Sequence, residues 1–303
     1  MAAIKINQIQ KTYGDVQAVQ PVSFDVEEGE LFGLIGPDGA GKTTLIKILV
    51  TLLTPDKGSA SILNLDVVKD YLKIREIVGY MPGRFALYQD LSIQENMEFF
   101  ARIFKARIAD QMDLIGDIYK QIEPFKNRLA GQLSGGMKQK LALCCALVHR
   151  PKILILDEPT TGVDAVSRKE FWEMLQKIQT QGISILVSTP YMDEAARCNR
   201  VALMQEGKVI ALDKPKAITA NFKHPIYAVK ADDNYLLINT LKQISGLRSI
   251  YPSGEYAHLV LNESATGDHI KKFAEANGAT NVDVKIIEPD IEDSFIETMQ
   301  HGK

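Results

Sequence analysis

The chain has 303 residues, enough for one large domain and a smaller one, and 46% are hydrophobic against 24% charged, the balance of a soluble globular protein. Its net charge of −3 lacks the basic excess of a nucleic-acid binder, so no nucleic-acid partner is expected. No apolar run reaches the roughly 18–20 residues of a membrane span. The start, Met1-Ala2-Ala3-Ile4-Lys5, has no signal-peptide core, and Cys144, Cys145 and Cys198 form neither a disulfide framework nor a zinc pattern. The expectation is a cytoplasmic protein whose membrane role, if any, comes through a partner.

Ile4, Ile6 and Ile9, then Val16, Val19, Val22, Phe24 and Val26, predict two short strands with polar faces around Lys11-Thr12-Tyr13-Gly14. Tyr13 falls in a turn-like segment, where its ring would stack on a nucleobase or serve local packing. After the turn Glu28-Gly29, the run Leu31-Phe32-Gly33-Leu34-Ile35 reads as a buried strand. It leads into Gly36-Pro37-Asp38-Gly39-Ala40-Gly41-Lys42-Thr43-Thr44, which has the G-x-x-x-x-G-K-T spacing of a phosphate-binding loop. Leu45, Ile46, Ile48, Leu49, Leu52 and Leu53 follow at helical spacing. Strand, loop and helix in this order are the context the motif needs, which leaves an ordinary Gly-rich turn as the poorer reading. Glycines let successive backbone N–H groups converge on an anion. The helix beginning near Lys42 adds its positive end. Lys42 would reach the β- and γ-phosphates of a nucleotide, and the Thr43 hydroxyl would ligate Mg²⁺.

Thr54-Pro55-Asp56-Lys57-Gly58 is a turn, Ser59 to Leu65 a further strand, and Lys73 to Val78 leads to Gly79-Tyr80-Met81-Pro82-Gly83. Helical patterns run from Ile93 to Phe104 and from Ala109 to Ile122. Leu133-Ser134-Gly135-Gly136-Met137-Lys138-Gln139-Lys140 then opens a helix with Met137, Leu141, Cys144 and Val148 near i, i+4 spacing. Two glycines before a helix start are either a second anion-seeking element or a plain loop. Ile153-Leu154-Ile155-Leu156 is a buried strand ending in Asp157-Glu158-Pro159, where open α/β sheets place ligands. Asp157 suits Mg²⁺ support, and Glu158 would take the proton of, or orient, an attacking water; two solvated turn acids are the alternative. The turn Thr160-Thr161-Gly162-Val163-Asp164 precedes a helix with Phe171, Met174, Leu175 and Ile178 on one face. Ile183 to Val187 is a last buried strand before Ser188-Thr189-Pro190.

Lys214-Pro215 breaks the pattern, and a different module opens at His224-Pro225. It reads as a strand (226–229), a helix (235–244), two strands (247–251 and 256–261) about Pro252-Ser253-Gly254, a helix (268–276), a strand (282–287) and a helix (291–299). That order predicts a small α+β unit of ferredoxin-like type without a catalytic constellation.

Taken together, the GPDGAGKTT loop, the LSGGMKQK string, the ILILDEP strand, the TTGVD turn and their order resemble the ATP-binding subunit of an ATP-binding cassette (ABC) transporter over roughly residues 4–215. Tyr-Met-Asp-Glu-Ala at 191–195 and the tail Glu288-Pro289-Asp290-Ile291-Glu292-Asp293-Ser294-Phe295-Ile296 resemble the drug- and polysaccharide-exporter type. The resemblance implies an α/β P-loop cassette over residues 1–220, a mixed sheet with helices on its faces and a helical subdomain at about 90–150. A small α+β extension over 225–303 would follow. It implies ATP and Mg²⁺ as cofactors, a membrane permease and a second ATP-binding subunit as partners, and a peripheral position on the inner face of the membrane. Residue by residue, it puts Tyr13 against adenine and Gly36, Asp38, Gly39, Ala40, Gly41, Lys42, Thr43 and Thr44 around the phosphates. Thr43 and Asp157 would hold Mg²⁺, and Glu158 would act on water. Ser134, Gly135 and Gly136 would touch the partner's γ-phosphate, and Asp164 the opposite subunit.

Two residues of the family pattern are absent. Gly83 stands where the Q-loop glutamine should follow Gly79-Tyr80-Met81-Pro82, and Pro190 where the switch histidine should follow Ser188-Thr189. Gln89 lies too far along to substitute, and His149, His224, His258, His269 and His301 fall outside the switch region. Pro190 is expected at the first position of the next helix, with Thr189 as its cap. The expectation is a pocket that binds ATP, turns it over slowly and lends its signature to a catalytically complete partner. A homodimer that tolerates both changes, a regulatory subunit with negligible hydrolysis, and a soluble non-transport ABC ATPase are the alternatives.

Overall fold

The computed structural model describes residues 1–301, which divide after Lys214 into two compact units. The first begins with a hairpin of β1 (Ala2–Tyr13) and β2 (Val16–Glu27), followed by β3 (Leu31–Ile35), α1 (Lys42–Leu49), β4 (Lys57–Ile62), β5 (Leu65–Asp66), α2 (Tyr71–Ile77) and β6 (Val78–Met81). Three helices come next, α3 (Ile93–Ile103), α4 (Met112–Ile122) and α5 (Gly135–Leu147). The unit closes with β7 (Ile153–Asp157), α6 (Ala165–Thr180), β8 (Ser184–Thr189), β9 (Arg200–Gln205) and β10 (Lys208–Asp213).

Two sheets result. One is antiparallel, in the order β2-β1-β4-β5; the other has six strands in the order β10-β9-β3-β8-β7-β6. In the second, β9, β3, β8, β7 and β6 run parallel and only the edge strand β10 is reversed. The central strands β3 and β7 are buried at every position, as the unbroken apolar runs require of strands covered on both faces. Leu45, Ile46, Ile48 and Leu49 of α1 share one core with Ile4, Ile6, Val22 and Phe24 of the antiparallel sheet and Phe32, Leu34 and Ile155 of the parallel one. The helix behind the phosphate loop is therefore packed between two sheets. Leu52, expected on that helix, is exposed, because the helix ends at Leu49 and Thr51 turns left-handed at φ 62°. The stretch from Lys73 is helical to Ile77 and turns to strand only at Val78.

α3 opens with a capping box, Ser92 accepting from the Glu95 N–H while Glu95 accepts from Ser92. Asn96, 0% exposed, then fastens the loop before it. Its Oδ1 accepts from Tyr88 N–H, and its Nδ2 donates to the carbonyls of Tyr88, Leu91 and Ser92. One side chain thus ties the segment running from Gly83 to the rigid start of a helix.

The second unit comprises α7 (Pro215–Ala220), β11 (Ile226–Lys230), α8 (Asn234–Leu241), β12 (Leu247–Ser253), β13 (Tyr256–Leu261), α9 (Gly267–Ala276), β14 (Asp283–Ile287) and α10 (Ile291–His301). Its sheet has the order β12-β13-β11-β14 with antiparallel neighbours, the ferredoxin-like arrangement. α7 falls in this unit, against α10, so the division comes before the expected residue 220. Leu237 and Leu241 of α8 and Ile270 and Ala274 of α9 pack with Tyr227, Val229, Leu259 and Leu261.

α10 is held by a polar cluster. Buried Asp293 accepts at 2.6 Å from both Tyr251 Oη and His258 Nδ1, while Arg248 Nε donates to Glu297 at 2.7 Å. The Asp293 bond, against the opposing effect of burial, raises the pKa of His258 above its ordinary 6.5, with Asp290 and Glu292 adding attraction. A raised cationic pKa stabilises the fold fully below 6.5, and that contribution is lost as pH rises through the folded-state value. Between about pH 6 and about pH 8 the thermal midpoint of the wild-type unit should fall further than that of His258→Gln. Parallel curves for the two proteins would show that the pair carries no such linkage.

Candidate active site

Parallel register brings four strand ends to one edge of the six-stranded sheet. Ile35 pairs with Thr189, Asp157 with Ser188, and Met81 with Leu156, so the loop after β3, Pro82-Gly83 after β6, Glu158 after β7 and Pro190 after β8 emerge side by side. Two glycines of the loop admit no replacement. A Cβ on Gly36 would lie 2.2 Å from the Met204 carbonyl oxygen, and one on Gly41, already at φ 99°, would lie 2.4 Å from that of Ala18. Ala40 is buried, while Asp38 and Gly39 are exposed at the loop's tip. α1 has neither a side-chain cap nor an acidic residue in its first turn, so its N-terminal N–H groups suit an external anion.

Lys42, 3% exposed, points back into this loop. Its ammonium donates to the carbonyls of Gly36 at 2.7 Å and Pro37 at 3.0 Å and pairs with Glu158 Oε1 at 3.1 Å. The Thr43 hydroxyl donates to Asp157 Oδ1 at 3.1 Å. Ser188 Oγ donates to the same oxygen at 2.7 Å and accepts from the Glu158 N–H at 3.0 Å. Glu158 sits at φ 49°, unusual for a residue with a Cβ. Its Oε2 receives the Thr161 hydroxyl at 3.4 Å. Burial, with the charge of Asp157 adding, pushes the nearby Tyr80 phenol up to about 12, which keeps it protonated. A threonine hydroxyl and a carboxylate at 3.1 Å are hard oxygen donors, the set that Mg²⁺ takes together with phosphate oxygens.

Gly83 lies against this centre: a Cβ there would be 3.0 Å from the Asp157 carbonyl oxygen and 3.8 Å from its Oδ2. Gln89 belongs elsewhere, its carbonyl accepting from Gly131 N–H at 3.0 Å. Pro190 does not begin the next helix. That helix is a 3₁₀ segment, Met192–Arg197, and the Thr189 hydroxyl accepts from the Tyr191 N–H. Thr189 is occupied otherwise: it donates to Glu194 Oε2 at 2.6 Å, and Thr160 donates to both oxygens of the same carboxylate at 2.9 and 3.2 Å. Arg168 Nε lies 3.8 Å from it. This buried clamp was not evident in the sequence, where Glu194 is indistinguishable from its exposed neighbour Asp193. His149, the single histidine of the first unit, stacks on Phe104 at 3.9 Å and its Nε2 meets the Val78 carbonyl.

The glycine-rich string makes its contacts with the turn before α6 and with α6 itself. Ser134 caps α5 by accepting from Met137 N–H, Gly135 adjoins Gly162, and a Cβ on Gly136 would meet Ser167 of α6. No hydrogen bond or ion pair among the described residues joins Ser134, Gly135 or Gly136 to residues 36–44. Asp164 caps α6, its carboxylate held below the usual range by the Ser167 N–H. Tyr13 ends β1 rather than lying in a turn, 49% exposed, with Lys11 Nζ 6.0 Å from its ring centre. An apolar cavity of about 740 Å³ borders Glu158 and is walled by Met81, Pro82, Phe85, Phe100 and Phe104.

Fold and site together define a P-loop nucleotide-binding cassette. Residues 19–161 match the ABC transporter family. The chain is 37% identical to the probable multidrug ABC transporter ATP-binding protein YbhF of Escherichia coli over 98% of its own length and 52% of that protein's, so it spans about half of that relative. It is 39% identical to the Nod factor export ATP-binding protein I of Burkholderia thailandensis over 72% of this chain and 73% of that one. Among solved structures, cbiO1 of Clostridium perfringens, part of the ABC transporter complex cbiONQ, aligns with a TM-score of 0.65 at 29% identity over 73% of this chain and 91% of its own. The dimeric ABC transporter cassette MJ0796 aligns at 0.63 and 29% over 70% and 98%. The chain belongs to the ATP-binding proteins of ABC transporters, a family of ATPases.

Proposed function

We propose that this chain is the ATP-binding and hydrolysing subunit of an exporter, that its own pocket turns ATP over slowly, and that its signature helix completes a partner's pocket. The observation carrying the reading is the convergence of Lys42, Thr43, Asp157 and Glu158 at one sheet edge beside Gly83 and Pro190, neither of which carries a hydrogen-bonding side-chain group. The uncapped start of α1 and Lys42 bind the phosphates; Thr43 and Asp157 would hold Mg²⁺, which would supply neutralising charge for phosphoryl transfer. Glu158 leaves Lys42 and orients the attacking water. Asp164 and the Ser134–Gly136 string, brought together through Ser167, face a second cassette. The YbhF and Nod factor export names favour export, and the apolar cavity beside Glu158 offers a surface for a permease. No helix among the described residues is long and apolar enough to cross a membrane.

Gly83 and Pro190 also favour a second reading, a regulatory subunit with negligible hydrolysis. Turnover of the purified chain separates the readings. Slow, Glu158-dependent hydrolysis is expected; brisk hydrolysis would sink the impaired pocket, and none at all would favour regulation. A polytopic membrane protein should co-purify.

A further inference from the structure

We infer that Ser188 is a positioning residue for the carboxylate that holds the metal: its hydroxyl fixes the orientation in which Asp157 meets Thr43 and pins the backbone from which Glu158 projects. The inference rests on the nucleotide-site reading above. Ser188 is 0% exposed at the end of β8, 31 positions from Asp157 in sequence and its direct neighbour in the sheet. A serine hydroxyl carries one proton and two lone pairs. Here the proton goes to Asp157 Oδ1 at 2.7 Å, and a lone pair accepts the Glu158 N–H at 3.0 Å. The same N–H reaches the Ser188 carbonyl at 3.1 Å. Oδ1 also accepts from Thr43 at 3.1 Å. Two donors on one oxygen fix the carboxylate plane and leave Oδ2, beside the bare Cα of Gly83, without a hydrogen bond to any described residue.

A carboxylate held in this way meets a metal without first losing rotamer freedom, and partners behind metal ligands are typically worth about 10–100-fold in metal affinity. Glu158 needs the same support for a different reason. Its positive φ is costly for a non-glycine residue and persists only when neighbours over-determine it. Alanine at 188 also cannot donate, so Asp157 becomes free to swing from Thr43.

The test is the gain in nucleotide affinity that Mg²⁺ produces, read by titrating the full chain with a fluorescent ATP analogue in EDTA and again in Mg²⁺. Wild type should bind in EDTA and bind more tightly in Mg²⁺. Ser188→Ala should keep its EDTA affinity and lose about tenfold or more of the Mg²⁺ gain. Ser188→Cys, similar in size with a weak donor, should lose part of it and guards against a folding failure of the alanine variant. An undiminished gain in both variants overturns the inference and leaves the nucleotide site standing. Equal losses in EDTA and Mg²⁺ overturn it too, since they mark a merely structural role. Absence of saturable binding by wild type overturns the nucleotide reading itself.

Discussion

Gly83→Gln combined with Pro190→His should raise the turnover of the isolated chain by about 10²–10³-fold, the usual worth of a preorganised group acting on transition-state charge. Both positions are placed for it. A side chain at 83 starts 3.8 Å from Asp157 Oδ2, and the local backbone must give by only a few tenths of an ångström where the Cβ meets the Asp157 carbonyl oxygen at 3.0 Å. Position 190 follows a threonine whose hydroxyl is fixed by Glu194, so a new imidazole there leaves from an anchored point. The phosphate-binding elements are untouched, and affinity for ATP should change far less than kcat. Adding Glu158→Gln should abolish the gain and take the rate below that of the wild type. A double variant that binds ATP as before and hydrolyses it no faster would show that something other than these two side chains limits the reaction.

Lys42→Ala should weaken MgATP binding by about 10²-fold, or ~2.7 kcal/mol. The three donors of the Lys42 ammonium face three acceptor groups, the Gly36 and Pro37 carbonyls and the Glu158 carboxylate. Among the described residues Lys42 is the one cation paired with Glu158, and truncation removes it and strands two loop carbonyls, so the incoming phosphates meet negative rather than positive charge. The same fluorescence titration reads the loss, and circular dichroism checks that the variant folds. Unchanged affinity would remove Lys42 from the phosphate site and the function built on it.

The phosphate loop was legible because its chemistry is local: nine consecutive residues hold the glycines, the lysine and the threonine, with strand and helix on either side. The buried strands were legible for the same reason, as short apolar runs have few other destinations. What stayed hidden depends on which strands become neighbours. Ser188 reaches Asp157 only because β8 lies beside β7, and the string Ser-Thr-Pro carries no trace of that pairing. Glu194 is likewise one acid in Met-Asp-Glu until the 3₁₀ turn directs it inward and Asp193 outward. Thr189 looks like a cap before a proline, yet its proton goes to that buried acid, and the helix starts two residues later than its pattern suggests. Lys11-Thr12-Tyr13-Gly14 reads as turn-like between two strands, yet pairing of Tyr13 with Val16 extends β1 through that position.

The contact between Lys42 and Glu158 has a bearing on selectivity. A carboxylate tethered to the same sheet edge competes with every visiting ion at a high effective concentration, typically millimolar or above for groups on short tethers. Chloride or a lone phosphate, offering few acceptors, stands at a disadvantage against that resident rival. A nucleotide tail brings several oxygens at once, engages the helix start as well as the lysine, and so can evict the acid. On the proposed reading, the pocket should therefore discriminate against small cellular anions before any base or sugar is recognised.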